Sequence, residues 1–198
     1  MKEVWLSVLR DKHTNVAEFR RTSDQLARCL AAETLAKLAA GRVEIETPLG
    51  HATGTAPPDD VMVVVILRAA LALLGPFMEA IPGLPVGFVG IERDELTARP
   101  RSYYQKFPRV LPGRAIVLDP MLATGGSAGL AIAALRRLGY TQESIYFTGV
   151  IAAEEGLRCL SRLIPEAHIT VAAVDPALNP QKYIVPGLGD YGDRYYGT

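Results

Sequence analysis

The chain has 198 residues, enough for one α/β domain with its own core and too few for two ordinary domains. Lysine plus arginine and aspartate plus glutamate number 21 each, so no net charge draws the protein to nucleic acid or to an anionic membrane. The longest apolar run, residues 61–74, is too short to span a bilayer, and the first residues lack the apolar core of a signal peptide. Cys29 and Cys159 lie far apart in helical patterns, which favours free thiols. We therefore expect one domain over residues 1–198, located in the cytoplasm, with small-molecule partners and neither a nucleic-acid nor a membrane partner.

The first predicted element is a long helix. Asn15 precedes Glu18 by three residues, which is the signature of a capping box, and apolar residues then recur at helical spacing as far as Gly41. Residues 43–47 alternate between apolar and polar and are followed by a proline–glycine turn at 48–50. This pattern predicts a short exposed hairpin outside the main sheet.

From residue 61 onward, continuous apolar segments rich in β-branched residues alternate with helical segments. The predicted strands are residues 61–67, 86–91, 114–118, 145–151 and 169–174, and the predicted helices lie near 69–81, 127–138 and 154–163. An irregular polar insert separates the second strand from the third, and the chain after residue 174 is predicted to be loop. Strands that are apolar on both faces require cover on both faces, so the fold class is α/β with a mostly parallel, doubly covered sheet.

A glycine-containing loop follows the predicted strand 114–118. Gly125 and Gly126 let successive backbone N–H groups turn toward one point at the start of a helix, and Thr124 and Ser127 add hydroxyl donors. Such a loop suits a phosphate, and Asp119 would lie close enough to accept hydrogen bonds from sugar hydroxyls. The segment therefore predicts a ribose-phosphate site, although an ordinary strand-to-helix turn would have the same spacing.

Two other phosphate-binding patterns are excluded or weak. No Gly-Lys-Ser/Thr sequence is present, which excludes a Walker loop. A G-x-G-x-x-G pattern occurs at residues 187–192, but only six residues follow it. We therefore expect neither a helix nor a second strand there, so the pattern is not a dinucleotide fingerprint.

Several segments resemble, in the same order, those of the uracil phosphoribosyltransferases, which belong to the type I phosphoribosyltransferases. The matching segments are residues 117–127, Ile66–Ala69, Gly90–Arg93 with Tyr104–Lys106, Tyr183–Asp190 with the end of the chain, and more weakly Leu9–Lys12 with Phe19 and Arg20. The resemblance implies a type I phosphoribosyltransferase-like sheet with a small hood made of the N-terminal and C-terminal segments. It also implies that residues 99–106 form a hairpin beside the active site, in preference to the nucleic-acid patch that their basic and aromatic composition suggests.

The resemblance further implies the roles of individual residues in transfer of a phosphoribosyl group from phosphoribosyl diphosphate (PRPP) to N1 of uracil. The implied catalytic residues are Arg68, Arg93, Asp119 and Asp190. The implied PRPP-binding residues are Arg68, Arg93, Asp119, Pro120, Met121, Leu122, Ala123, Thr124, Gly125, Gly126, Ser127 and Asp190. The implied uracil-binding residues are Ile184, Gly189, Asp190 and Tyr191. Mg²⁺ would be carried mainly by PRPP without protein ligands, GTP would act as an effector as in some relatives, and the protein would be a homodimer or a higher homo-oligomer.

Three positions depart from the pattern of that family. Val65 stands where proline is usual, Ala70 stands where glycine is usual, and Glu154 replaces a usual proline. A pyrophosphate loop without its glycine could lose a backbone conformation that only glycine adopts cheaply, so Ala70→Gly is expected to raise activity. Two alternatives therefore stay open: a non-catalytic sensor of PRPP or nucleotides on the same fold, and a transferase for another base.

Overall fold

The computed structural model describes residues 1–38, 41–93 and 100–198, without the side chain of Arg93. The strands are β1 (Arg42–Thr47), β2 (Gly50–Thr55), β3 (Val61–Leu67), β4 (Val86–Arg93), β5 (Pro100–Lys106), β6 (Arg114–Leu118), β7 (Met121–Leu122), β8 (Ile145–Ala153), β9 (Ile169–Asp175), β10 (Ala177–Leu178) and β11 (Ile184–Val185). The helices are α1 (Lys2–Arg10), α2 (Val16–Ala36), α3 (Leu71–Ala80), α4 (Gly126–Arg137), α5 (Glu154–Leu160) and α6 (Tyr191–Tyr196), with short 3-10 turns at Gln142–Ser144 and Glu166–His168.

The core is a seven-stranded sheet in the order β5-β4-β3-β6-β8-β9, and β7 continues beside the second half of β8. All neighbouring strands are parallel except the edge pair β4 and β5. In β3, Val65 lies between Phe88 of β4 and Leu118 of β6 and is fully buried. Every residue of β8 is buried. The predicted mostly parallel sheet with buried strands is confirmed.

Helices cover the sheet on both faces. The connection from β3 through α3 to β4 and the connection from β6 through α4 to β8 run in opposite directions along the sheet. Because such crossovers are right-handed, α3 and α4 lie on opposite faces. The long helix α2 packs on α3 and β8, and α5 packs beside α4. This arrangement leaves the carboxyl ends of β3, β6 and β8 open at one edge of the sheet, where ligands bind in folds of this class.

The two ends of the chain come together over that edge, as the predicted hood requires. Arg194 of α6 donates to the carbonyl oxygens of Leu9 and Asp11, and its guanidinium lies 4.5 Å from the centre of the Phe19 ring. Arg20 donates to the carbonyl oxygen of Tyr195 at 2.6 Å. These contacts join the first two helices to the end of the chain.

The structure confirms some local predictions and corrects others. The Oδ1 atom of Asn15 accepts the N–H of Glu18 at 3.0 Å, so the predicted cap is confirmed, whereas α2 ends at Ala36 rather than near Gly41. The hairpin of β1 and β2 is confirmed, and both cysteines are free thiols.

The insert that we predicted to be irregular contains β5. The prediction that no helix fits at the G-x-G-x-x-G pattern was wrong, because α6 begins at Tyr191 within that pattern and Asp190 caps it. Within the described ranges no helix is long and apolar enough to cross a membrane.

Candidate active site

A cleft of about 430 Å³ opens at the carboxyl edge of the sheet, between the phosphate loop (residues 119–127), the Arg68 loop (residues 67–70) and the tail segment (residues 183–190). Its walls contain Ile66, Leu67, Arg68, Ala69, Ile91, Glu92, Pro100, Asp119, Met121, Ala123, Thr124, Ser127, Lys182, Tyr183, Ile184, Gly189, Asp190, Tyr191 and Gly192. Three segments that are far apart in the sequence, and that the resemblance assigns to one site, therefore meet in one cleft.

The phosphate loop reaches the cleft through a left-handed turn at Gly125. This residue has φ +82° and directly precedes α4, so that the first turn of α4 points its free N–H groups into the loop. A Cβ atom on Gly125 would lie 3.0 Å from Cβ of Cys159 and 3.3 Å from the carbonyl oxygen of Gly156. Both the backbone angle and the close packing of α5 therefore require glycine here.

Asp119 directly follows strand β6 and lines the cleft. Its backbone N–H donates to the carbonyl oxygen of Thr148 in β8, and its Oδ1 accepts the N–H of Met121 at 3.3 Å. Burial raises the pKa of Asp119 to about 7, although the hydrogen bond from Met121 partly offsets this effect. In the free protein the carboxyl group therefore changes its charge near neutral pH, and a cation or a set of hydroxyl donors in the cleft would favour the charged form.

The Arg68 loop follows β3 on the other side of the cleft. Arg68 is exposed and makes no ion pair with any residue that the structure describes, so its guanidinium is available to an anion. Its carbonyl oxygen accepts the hydroxyl of Tyr196 at 3.2 Å, which ties the loop to α6, and the Leu67–Arg68 peptide bond is cis. Arg93 ends β4 at the same edge of the sheet, but its side chain lies outside the described residues.

Ala70 does not carry the strained backbone that its replacement of a glycine suggested. It has φ −71° and ψ −9°, which is ordinary right-handed helical geometry, and it is fully buried at the start of α3. Alanine adopts this conformation without penalty. In this conformation of the protein, the Arg68 loop therefore does not need glycine at position 70, contrary to what the sequence had suggested.

The tail segment lines the third side of the cleft with Tyr183, Ile184, Gly189 and Asp190. Gly187 has φ +61° and Gly189 has φ +82°, and a Cβ on Gly187 would lie 2.1 Å from the carbonyl oxygen of Ile184. Asp190 is exposed, and its Oδ1 accepts the N–H of Asp193 at 2.9 Å to cap α6. Such a tight, side-chain-poor segment brings backbone donors and acceptors close to a ligand.

Several predicted site residues support the cleft instead of presenting a side chain to it. Pro120 and Leu122 are buried residues of the phosphate loop itself, and the carbonyl oxygen of Pro120 accepts the N–H groups of Val150 and Ile151 in β8. Tyr191 borders the cleft, but its ring is fully buried against Phe19, with the ring centres 5.2 Å apart, and its hydroxyl hydrogen-bonds to Ser23. These residues fix the shape of the site.

The cleft also contains residues to which the sequence analysis assigned no role. Examples are Glu92, Lys182 and Tyr183. Lys182 has φ +66°, and its ammonium group lies 3.7 Å from a carboxylate oxygen of Glu155. Nothing in the local pattern distinguishes it from a surface lysine, because only the fold brings it to the cleft.

Three carboxylates, those of Glu92, Asp119 and Asp190, line the cleft, and carboxylate oxygens are ligands that Mg²⁺ prefers. In the described ranges no group of three or more His, Cys, Asp and Glu side chains lies close enough together to hold a metal ion. This donor set suits a hydrated Mg²⁺ ion that is bound mainly by phosphate oxygens and that contacts the protein through one carboxylate or through water.

A phosphate loop at the carboxyl edge of a mostly parallel sheet, facing a hood built from both chain ends, defines a type I phosphoribosyltransferase. Consistent with this class, the fold is similar to that of a hypoxanthine phosphoribosyltransferase from Staphylococcus aureus, with a TM-score of 0.50 and 12% identity over 80% of this chain and 76% of that one. The family model for uracil phosphoribosyltransferase matches residues 2–198, and the chain belongs to that family.

Individual relatives agree with this assignment over nearly the whole chain. A uracil phosphoribosyltransferase of Malacoplasma penetrans is 42% identical over 98% of this chain and 93% of its own length. One from Geobacillus kaustophilus is 43% identical over 98% and 92%, respectively. The solved structure of the AQ2163 protein from Aquifex aeolicus is 33% identical, has a TM-score of 0.86, and is covered to 94% by the full length of this chain.

Proposed function

We propose that the protein transfers the phosphoribosyl group of PRPP to N1 of uracil, giving UMP and pyrophosphate, and that residues 1–198 act as one domain. The observation that carries the proposal is that the phosphate loop, Arg68 and the tail segment face one another in the same cleft. A phosphate cradle, a free guanidinium and a backbone-lined pocket correspond to the three parts of the reaction: ribose phosphate, pyrophosphate and base.

In the proposed complex the 5-phosphate binds the N–H groups at the start of α4 and the hydroxyls of Thr124 and Ser127. The carboxylate of Asp119 accepts hydrogen bonds from the ribose hydroxyls. Arg68, together with Arg93, donates to the pyrophosphate, for which the planar fork of a guanidinium is suited. Ile184, Gly189 and Asp190 contact the base, chiefly through the main chain.

The reaction needs no covalent intermediate on the protein. N1 of uracil attacks the anomeric carbon as the bond to pyrophosphate breaks, and the N1 proton is released to water or to the departing pyrophosphate. Positive charge develops on the sugar and negative charge on the leaving group. Asp119 stabilises the first and the arginines stabilise the second. Holding two substrates in line lowers the barrier by roughly 7–11 kcal/mol, which makes alignment by the three loops the largest contribution. When bound, Mg²⁺ neutralises phosphate charge on PRPP, and the cleft carboxylates are the protein groups that can contact it.

The main alternative is a sensor that binds PRPP without turnover. It was suggested by Val65, Ala70 and Glu154, and the ordinary backbone angles of Ala70 weaken one part of its basis. A transferase for a different base would use the same phosphate loop and would differ only in the tail segment.

One assay separates these functions. The protein is mixed with PRPP, Mg²⁺ and, in turn, uracil, cytosine, orotate or hypoxanthine, and pyrophosphate release is followed. We expect turnover with uracil alone. Turnover with another base would show that this base, and not uracil, is the substrate. Tight PRPP binding without any turnover would support the sensor.

Three further parts of the proposal rest on the family resemblance. The protein would be a homodimer or a higher homo-oligomer, GTP would be an effector, and the reaction would take place in the cytoplasm. Sedimentation equilibrium tests the first, and a GTP titration of the uracil reaction tests the second.

A further inference from the structure

Residues 187–190 of the tail segment are held in place without regular secondary structure of their own. After β11 ends at Val185, residues 187–190 form neither a strand nor a helix until α6 begins at Tyr191. Gly187 and Leu188 are nevertheless buried. Their backbone polar groups therefore need partners from elsewhere in the chain.

A closed network supplies those partners for Gly187. The guanidinium of Arg10 donates to both carboxylate oxygens of Asp175, at 2.8 and 2.6 Å, and one of its nitrogens also donates to the carbonyl oxygen of Gly187 at 2.8 Å. The N–H of Gly187 donates back to Asp175 at 2.7 Å. Both backbone groups of one residue are thus held by one arginine–aspartate pair.

The pair is anchored on rigid elements. Arg10 is the last residue of α1, and Asp175 is the last residue of β9. The side chain of Asp175 is only 6% exposed, so its hydrogen bonds are shielded from water. A second arginine, Arg194, donates at 2.7 Å to the next carbonyl oxygen along the chain, that of Leu188.

We infer that Arg10 and Asp175 are positioning residues for base recognition, because they fix the Gly187 peptide between two residues of the proposed base pocket, Ile184 and Gly189. This inference rests on the proposed function of the tail segment. Neither side chain lines the cleft, so both act through the main chain that they hold. The N-terminal helix α1 accordingly belongs to the base site, although it lies outside the sheet that binds the phosphate.

The test separates the two substrates. In Arg10→Met, the KM for uracil should rise about 10-fold, because an unrestrained loop must be ordered on binding. The Kd for PRPP should stay within about 2-fold, because the phosphate loop and Arg68 do not contact this network. A merely structural role would change both constants together or would change only the melting temperature.

A matched control is available in Arg136, whose guanidinium also donates to a loop carbonyl oxygen, that of Leu163, at 2.7 Å. Arg136 lies in the last turn of α4, about 15 Å along the helix from the phosphate loop. Arg136→Met should leave both KM values unchanged. Equal rises in both constants for Arg10→Met, or a KM for uracil within 2-fold of the wild-type value, would overturn the inference.

Two additional measurements cover the remaining outcomes. If Arg10→Met does not fold, Arg10→Lys replaces it in the test, because lysine keeps the charge but cannot bond both carboxylate oxygens and Gly187 as the guanidinium does. Arg10→Lys should fold and still raise the KM for uracil. A wild-type KM for uracil in Arg10→Lys would overturn the inference. Hydrogen exchange tests the positioning role without turnover. In the Arg10 variants the backbone amides of residues 183–190 should exchange faster than in the wild type, and those of residues 119–127 should exchange at the wild-type rate. Equal protection of residues 183–190 in the wild type and the variants would overturn the inference. A wild-type protein with no turnover on uracil would instead reject the proposed function.

Discussion

The phosphate loop takes its shape from the strand and the helix that flank it, whereas the tail segment takes its shape from side chains that come from distant parts of the sequence. Seven residues, 119–125, lie between the end of β6 and the start of α4, and the key feature is the left-handed angle of Gly125. The Arg10–Asp175 pair that holds the tail segment joins residues 165 positions apart. One cleft thus combines a local structure with a non-local one.

The two sides also place their buried acids in opposite environments. Asp119 has no cationic partner among the described residues, and burial raises its pKa to about 7. The Arg10 guanidinium beside Asp175 holds the pKa of that carboxyl below its usual value. An acid without a partner is set to respond to an arriving ligand, while a paired acid keeps its charge and its geometry. The difference suggests that the phosphate side changes the charge of Asp119 when a ligand binds, whereas the tail side is preorganised.

The largest expected effect is that of Asp119→Asn. Loss of the carboxylate should lower kcat/KM by about 100-fold or more, because the variant cannot stabilise positive charge on the sugar. In the wild type, kcat/KM for PRPP should fall as the pH drops below about 7, since the free protein then carries a neutral Asp119. Initial-rate measurements from pH 5 to 9 check both statements.

The same substitution should stabilise the protein. Because the folded pKa of Asp119 is raised, the unfolded carboxyl ionises first, so wild-type stability declines as the pH rises from about 4 to about 7. Asp119→Asn should therefore be more stable at pH 8 by about 1–3 kcal/mol in urea denaturation. Asp60→Asn, at the opposite end of the sheet where Asp60 accepts the N–H of Gly113, is the control and should keep full activity. An active Asp119→Asn would mean that the ribose does not bind here.

Gly125→Ala tests how strongly the phosphate loop depends on local backbone geometry. The Cβ would meet Cys159 at 3.0 Å in addition to the unfavourable angle, so we expect the Kd for PRPP to rise by about 10-fold or more. Gly139→Ala is the matched control, since Gly139 has φ +97° with nothing within 4 Å of a Cβ. It should cost about 1 kcal/mol of stability and leave PRPP binding unchanged. Equal effects of the two variants on binding would show that the loop tolerates a shift.

Asp175→Asn tests the non-local side. The ionised pair contributes stability above the unfolded pKa of Asp175, near 3.8, and that contribution is lost as the pH falls through its lower folded pKa. The variant should therefore lose about 2–3 kcal/mol at pH 7, and the difference from the wild type should shrink below pH 3. Urea denaturation at both pH values checks this, and a difference that is independent of pH would indicate lost packing instead of a lost ion pair.

The difference between local and non-local structure also explains what the sequence could predict. The core strands and the phosphate loop follow from apolar runs and from a strand–glycine–helix pattern, both of which are local. The apolar pattern does not predict strand β5, because most of its residues are exposed and it has no apolar face to detect; only the family resemblance implied a hairpin there. The partners of Arg10 and the position of Lys182 depend on the assembled fold, and no spacing in the sequence encodes them. The base site was therefore predicted only through resemblance to a family.

Ala70→Gly is the smallest expected effect, and it decides whether the departure from the family pattern matters. The sequence alone predicted a gain of activity, on the premise that this loop needs an angle that alanine resists. Since Ala70 has ordinary helical angles and is fully buried, we now expect kcat and both KM values to stay within about 2-fold, with a loss of about 1 kcal/mol in stability. Ala72→Gly, at a buried position in the same helix, should show a similar loss and unchanged kinetics. A rise in kcat/KM confined to Ala70→Gly would mean that the Arg68 loop adopts another conformation during turnover. The Arg68 loop would then change on binding as the phosphate loop does, while the tail segment stays preorganised.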